Sequence, residues 1–313
     1  MNFTLDDTQI ALRDLARQIF TEHERHKELE AAGKTFDAEL WETLRTTGLL
    51  EVDGFVDQCL VLIEQGRTVA PVPLWAHYAT RRSFATLAVD GLAPDADVAS
   101  EVVFIRDGSV FVKDPVVLER HLTTAGAEFV VDTDGGTKLD VDPADLLDRA
   151  VVLRCALGVG IAERALELTA SYVSERKQFD RPLGSFQAVQ QRAADAYIDV
   201  EAMRLTMLQA AWQIDASTQR SGVATGLDLG HAVEVARFWA SEAGQRVVGT
   251  AQHLHGGMGA DIDCPLFRYT LGMKEIELAF GGATQTLARM GTMYRSNKNP
   301  PRSEAERELR ERE

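Results

Sequence analysis

Little in this chain can cross-link it, anchor it or attract a polyanion. Its three cysteines, Cys59, Cys155 and Cys264, are widely spaced and form no CxxC pair, so neither a disulfide framework nor a cysteine zinc site can be read from them. No apolar run approaches the ~20 residues of a membrane span. Residues 1–7 carry neither the basic nor the apolar region of a signal peptide. Acids outnumber bases 48 to 33, for a net charge of −15, which argues against nucleic acid or an anionic membrane as partner. A phosphate ligand would need only a local basic pocket. With 313 residues, 45% of them hydrophobic, the chain can build a full core. The expectation is a soluble, cytoplasmic protein.

Along the chain the texture changes twice. Residues 4 to about 90 read as helices: Thr4 as a cap with Asp6 and Asp7 in the first turn, a second helix from residue 36 ending at Gly48, a third over 56–69 closed by Pro71 and Pro73, and a further segment over 75–87. Between residues 94 and 142, short β-rich runs (102–105, 110–112, 129–131) alternate with Asp107-Gly108 and Asp134-Gly135-Gly136 turns, which predicts a small element of hairpins. From residue 143 the three-and-four spacing returns. Leu157, Ile161, Ala165, Leu168 and Tyr172 make one stripe, a second runs from Val189 to Ile214, a third from Ala236 to Val247, and residues 276–290 make a fourth helix. This predicts a mainly α protein: an N-terminal helical domain (1–93), a reduced β-domain (94–142), a C-terminal four-helix bundle (143–294) and a mobile tail (295–313).

Two turns in the bundle could carry chemistry. In the stretch from Arg176 to Gln187, Arg176 offers a planar fork suited to a pyrophosphate, and Gln178 a donor and acceptor for an adenine or ribose edge. Phe179 and Phe186 add flat apolar faces. Taken alone, such a stretch is more often a solvated inter-helix loop. In His253-Leu254-His255-Gly256-Gly257-Met258-Gly259, the glycines let backbone amides approach an anion, although a lone Gly-Gly-x-Gly is more often a helix cap. His253 and His255 have no acidic or sulfur companion at ligand spacing, so no metal is expected.

Together these turns resemble those of the acyl-CoA dehydrogenase family, whose usual text is Arg-x-Gln-Phe-Gly-x-Pro-x-x-x-Phe-Gln followed by Gln-x-x-Gly-Gly-x-Gly. Asp180 stands where the family has Gly, and His253, after Gln252, where it has Gln. The resemblance extends to the N-terminal helices and the passage from Gly66 to Pro71. It implies FAD as cofactor, held across a subunit interface by Arg176, Gln178, Phe179, Phe186, Gln187, His253, Gly256, Gly257 and Gln285. It also implies an acyl-CoA substrate and an electron acceptor of the electron-transfer-flavoprotein type.

Two family features are missing. The catalytic Glu within Glu-Gly-Thr is replaced: aligning Gly282-Ala283-Thr284-Gln285 with the family text puts Gly281 at the base position, and the alternative base position of some members falls on Ala150. Neither residue can accept a proton. Asp145 and Asp148 lie close to Ala150 in sequence and read as acids complementing a helix N-terminus. The Thr-Glu-Pro-like loop and Trp-Ile-Thr-like strand that cradle the flavin ring are also absent from 94–142. This profile resembles the short, base-lacking subunit of actinobacterial α2β2 acyl-CoA dehydrogenases, many of which act on steroid-derived CoA thioesters. The implied partner is a full-length homologue whose FAD site this chain completes in trans. Two other readings stand beside it: a flavin-dependent monooxygenase or nitroalkane-oxidase-like enzyme on the same fold, and a structural subunit that binds no flavin.

Overall fold

The computed structural model describes residues 3–122, 127–218, 228–278 and 281–298. The chain begins with α1 (Asp7–Glu22), α2 (His26–Ala31), α3 (Ala38–Thr46), α4 (Phe55–Thr68) and α5 (Leu74–Thr80). Asp6, not Thr4, caps α1: its carboxylate accepts from the Gln9 amide, and the Gln9 side chain reaches back to the Asp6 N–H, a reciprocal capping box. The expected helix over 75–87 stops at Thr80. Arg81 and Phe84 take left-handed backbone (φ 54° and 55°), and Ala85–Ala88 is a buried strand instead. A short apolar run cannot be assigned to helix or strand by periodicity alone.

That strand, β1, begins a β-layer larger than the hairpin element expected from residue 94. It is followed by β2 (Leu92–Pro94), β3 (Glu101–Arg106), β4 (Ser109–Lys113), β5 (Val117–Leu122), β6 (Ala127–Val131) and β7 (Thr137–Leu139). One sheet has the order β1-β3-β4-β7, the other β2-β6-β5. β1 pairs with β3 in parallel, against an expectation of hairpins throughout, while the other pairings are antiparallel. Asp107 and Gly108 (φ 49° and 67°) form the expected tight turn between β3 and β4. Ala88, Val102 and Phe104 from one sheet and Ala93, Phe129 and Val131 from the other close a small core of their own.

The C-terminal half is helical: α6 (Pro143–Glu175), α7 (Gln187–Thr218), α8 (Leu229–His255), α9 (Leu266–Leu278) and α10 (Gly282–Lys298). The expected fourth helix over 276–290 is two helices. Gly281 and Gly282 (φ 96° and 69°) stand at the break, a conformation no L side chain favours. α10 carries the fold to Lys298, past the start of the expected tail; residues 299–313 lie outside the described residues.

One main core joins the N-terminal helices to the bundle. α4 crosses α6 where Gly66 faces Leu157 and Gly160 faces Ile63, so the two backbones touch. From α7, Asp215 accepts the Phe55 and Val56 amides at 2.9 and 3.0 Å and caps the N-terminus of α4. Buried Glu64 pairs with Arg17 at 2.9 Å and Arg67 at 3.5 Å, and Arg67 reaches Glu163 on α6 at 3.2 Å. Among the described residues no helix is long and apolar enough to cross a membrane.

Candidate functional site

The turn after α6 is a built structure. Lys177–Gln178 (β8) pairs antiparallel with Arg181–Pro182 (β9). The two residues between, Phe179 and Asp180, have φ of 52° and 63°, the geometry of a two-residue hairpin turn that glycine or Asn/Asp usually supplies. Asp180 therefore keeps the turn its usual glycine would make, since a short polar side chain tolerates left-handed backbone. Phe179 is the strained member, and its ring is 86% exposed. It meets Phe186 edge-on at 6.2 Å, and the Arg181 guanidinium covers the Phe186 ring at 3.9 Å. The Leu183 amide donates to the Arg176 carbonyl at 2.8 Å, tying the loop to the end of α6.

Arg176, Gln178 and Gln187 are exposed. The Arg176 guanidinium makes no ion pair or hydrogen bond among the described residues, so its five donors face outward.

The second turn lies at the same end of the bundle. Tyr172, one helical turn before Arg176, stacks on His255 at 4.3 Å and 15°. Its hydroxyl donates to the His255 carbonyl at 3.5 Å and approaches Met258 Sδ at 3.9 Å. His255 is buried and hydrogen-bonded through Nδ1 to the Ala251 carbonyl at 2.8 Å, so it serves packing. His253 and Gly257 are exposed. Gly256 caps α8 with φ 64°, its N–H donating to the His253 carbonyl; that amide is engaged within the chain and turns the backbone. Among the described residues no group of three or more His, Cys, Asp or Glu could hold a metal ion.

Gln285 and Gly281 are elsewhere. Gln285 lies one turn before Arg289, whose Nε donates to Glu234 Oε2 at 3.0 Å. Glu234 precedes His253 by 19 residues on α8, about 28 Å at about 1.5 Å per residue. The structure thus gathers Arg176, Gln178, Phe179, Phe186, Gln187, His253, Gly256 and Gly257 at one end of the bundle; Gln285 lies on α10, one turn from the residue that pairs with Glu234, and Gly281 stands one turn before it. A Cβ on Gly281 would stand 2.1 Å from Gln285 Oε1. Ala150 is fully buried in α6, within the main core. Asp145 is exposed in the first turn of α6, capped by Asp142. Asp148 is half-buried, and burial, opposed by Arg237, pushes its carboxyl up to about 6.

Sequence reasoning missed Tyr172 and Arg181. Tyr172 sits on the apolar stripe and reads as packing. Arg181 occupies a variable place in the motif; the only signal was an Arg five residues before an aromatic across a hairpin.

A second concavity lies where α4, α6 and α9 meet the β-layers, a cavity of about 180 Å³. Asp95 on its wall has φ 56°, and burial first, then Asp97 and Glu275, pushes its carboxyl up to about 7. A carboxyl that titrates near 7 folded and near about 4 unfolded binds its proton more tightly in the folded state. The protein therefore loses stability as pH rises across that interval. Asp95→Asn, which keeps the size and suits left-handed backbone, is expected to raise Tm by a few degrees more at pH 8 than at pH 4, on the order of 1–3 kcal/mol. Equal shifts at the two pH values in thermal unfolding would refute the burial argument.

Comparison with known proteins agrees with this layout. A family model for the acyl-CoA dehydrogenase C-terminal domain matches residues 145–292. The chain is 34% identical over 345 aligned positions to the acyl-CoA dehydrogenase FadE27 of Mycobacterium tuberculosis, covering 86% of this chain and 91% of that protein. Among solved structures, the Tcur3481-Tcur3483 steroid ACAD (G363A variant) superposes with a TM-score of 0.80 at 32% identity, covering 94% of this chain and 99% of that one. The ChsE4-ChsE5 complex of Mycobacterium tuberculosis gives 0.78 at 28% identity, over 96% and 100%. Butyryl-CoA dehydrogenase of Megasphaera elsdenii shares the fold, with a TM-score of 0.73 at 17% identity. With its helical ends, two-sheet middle and paired turns, the chain belongs to the acyl-CoA dehydrogenase family.

Proposed function

We propose that this chain is the base-lacking subunit of a hetero-oligomeric acyl-CoA dehydrogenase, completing in trans the FAD site of a full-length homologous partner. The carrying observation is the hairpin after α6. Phe179 is held in left-handed backbone with its ring 86% exposed, and the Arg176 guanidinium near it in the chain finds no partner among the described residues. Strained backbone that presents side chains outward recurs at ligand clamps and active sites.

The residues present fit one end of FAD and not the other. Arg176 suits a pyrophosphate, and Gln178 a ribose or adenine edge. The chain's own cavity, about 180 Å³ and walled by Asp95, Asp97, Glu128 and Glu275, is too small and too acidic for a flavin ring beside its phosphates. Bound FAD would supply the hydride-accepting ring of an acyl-CoA α,β-dehydrogenation. This chain's part would be to bind and orient: Arg176 would neutralise charge on the pyrophosphate, Phe179 would offer an apolar face to the cofactor, and Tyr172 and Arg181 hold the two turns in place. The α-proton goes to a carboxylate of the partner, because Gly281 and Ala150 offer none.

That FadE27-like and steroid ACAD chains are its relatives supports a steroid-derived CoA ester as substrate, and that one of its structural relatives is a two-chain complex supports an α2β2 assembly. A cytoplasmic setting and an electron-transfer-flavoprotein-type acceptor complete the reading.

Arg176→Ala tests it. Loss of a charge-assisted, bidentate contact worth about 1.5–3 kcal/mol is expected to weaken FAD binding by the co-purified complex ten- to a hundredfold, read by flavin fluorescence. Arg176→Lys is expected to rescue in part, since an ammonium lacks the planar fork. Unchanged flavin affinity in the alanine variant would remove the trans clasp.

A further inference from the structure

The cavity between α4, the β-layers and the α6–α9 pair has a polar atom with nothing to bind. Gln65 is 4% exposed, and its Nε2 donates to the Ala70 and Val72 carbonyls at 2.9 and 2.8 Å. Those two acceptors fix which way the amide points. Its Oε1 is buried without a hydrogen-bond partner, on a residue that lines the cavity. Native proteins seldom leave such an acceptor unmet: an ordered water, an ion or a ligand supplies the donor.

The wall around it has one dominant sign. Asp95 and Asp97 come from the β2–β3 loop, Glu128 from β6 and Glu275 from α9, against the single guanidinium of Arg154 from α6. Arg154 is turned onto the Trp75 ring at 4.9 Å; its Nε is also buried without a hydrogen-bond partner, and burial lowers its pKa against the attraction of Glu275, Glu128 and Asp95. The carboxyl of Asp95 is in turn raised by Asp97 and Glu275 more than Arg154 lowers it. An anion entering here meets net repulsion; a cation meets attraction in a partly desolvated site. The remaining wall is apolar, with Leu157, Ile161 and Ile276. At about 180 Å³ the space is of the order of the ~150 Å³ cavity that accommodates benzene. It is far too small for a CoA ester.

We propose that this cavity binds a small primary ammonium ion with a compact apolar body, its N–H groups donating to Gln65 Oε1 and the surrounding carboxylates. The ammonium brings three donors and one positive charge to a site that has an orphan acceptor and an excess of carboxylates, and the apolar body covers the Leu157, Ile161 and Ile276 side. The proposal stands apart from the trans-flavin reading, since it uses no residue of the two turns.

Three probes of one shape and different charge decide it: benzylamine, benzyl alcohol and benzoate, each titrated calorimetrically into the full-length chain. Benzylamine is expected to bind once per chain at pH 8, benzyl alcohol at least about tenfold more weakly, and benzoate not at all. Affinity for benzylamine should fall several-fold between pH 8 and pH 6, as Asp95 takes up its proton while the ammonium stays charged. Gln65→Met should weaken it about fivefold. Because Gln65 also holds two backbone carbonyls, the exposed rim variant Asp97→Lys gives a reading that does not depend on folding, with an expected loss of at least about tenfold. Failure of benzylamine to bind at millimolar concentration, equal affinity for benzyl alcohol or benzoate, or an unchanged affinity in Asp97→Lys would overturn the proposal.

Discussion

Gly160→Ala is expected to destabilise the protein by at least about 3 kcal/mol and to lower Tm by roughly 5–10 °C. At this point α6 lies against α4 backbone to backbone. A Cβ on Gly160 would stand 1.9 Å from the Ile63 carbonyl oxygen and 2.9 Å from the Arg67 nitrogen, distances that no rotamer change relieves. The helices would have to separate by more than an ångström, loosening Val159, Ala156 and Leu62, all buried in the main core. Gly66→Ala should behave alike, since its Cβ would meet the Leu157 carbonyl oxygen at 2.2 Å. Gly249→Ala provides the contrast: it lies inside α8 with nothing within 4 Å of the new Cβ. There the helix propensity gain of about 0.5–1 kcal/mol should stabilise the isolated chain. Thermal unfolding of the three variants by circular dichroism checks the ranking; a Gly160→Ala protein as stable as the parent would mean that the two backbones are not in contact.

The other large effect falls on turnover, and on the partner. Replacing the partner's base carboxylate by its amide is expected to reduce the rate about 10²–10⁴-fold, whereas Asp145→Asn and Asp148→Asn in this chain should leave it within about twofold. Asp148 is the tempting candidate, because its carboxyl is pushed up to about 6, where a general base works well. Its surroundings explain that shift without catalysis: it is partly buried, attracted by Arg237 and repelled by Glu234 of α8 and by Asp145. Gly281→Glu should not create a second active site either. Position 281 holds φ 96°, where a glutamate would be strained, and Gln285 would have to move aside from the new Cβ. A large loss of turnover in Asp148→Asn, with assembly and flavin content intact, would place the base in this subunit.

The helical ends, the family and the residues of the proposed clasp are legible in the sequence. Amphipathic spacing sustained over α6, α7 and α8 leaves one buried face, and the order of Arg176, Gln178, Phe179 and Phe186 is legible because local turn geometry depends on neighbours in the chain. Asp6 rather than Thr4 as the first cap, and the end of α5 at Thr80, were ambiguous for the same local reason: several nearby residues could serve. Whatever depends on distant residues became legible in three dimensions alone. Whether residues 85–88 form helix or strand turns on the presence of β3 beside them, and a parallel partner leaves no mark in a four-residue apolar run. The split of the last helix at Gly281–Gly282 follows from backbone sign, which glycine permits but does not demand. Tyr172 and Arg181 became positioning residues only when α8 and the hairpin were brought against them. The unmet Gln65 acceptor arises from four elements converging on one cavity, a relation that spacing along one chain cannot express.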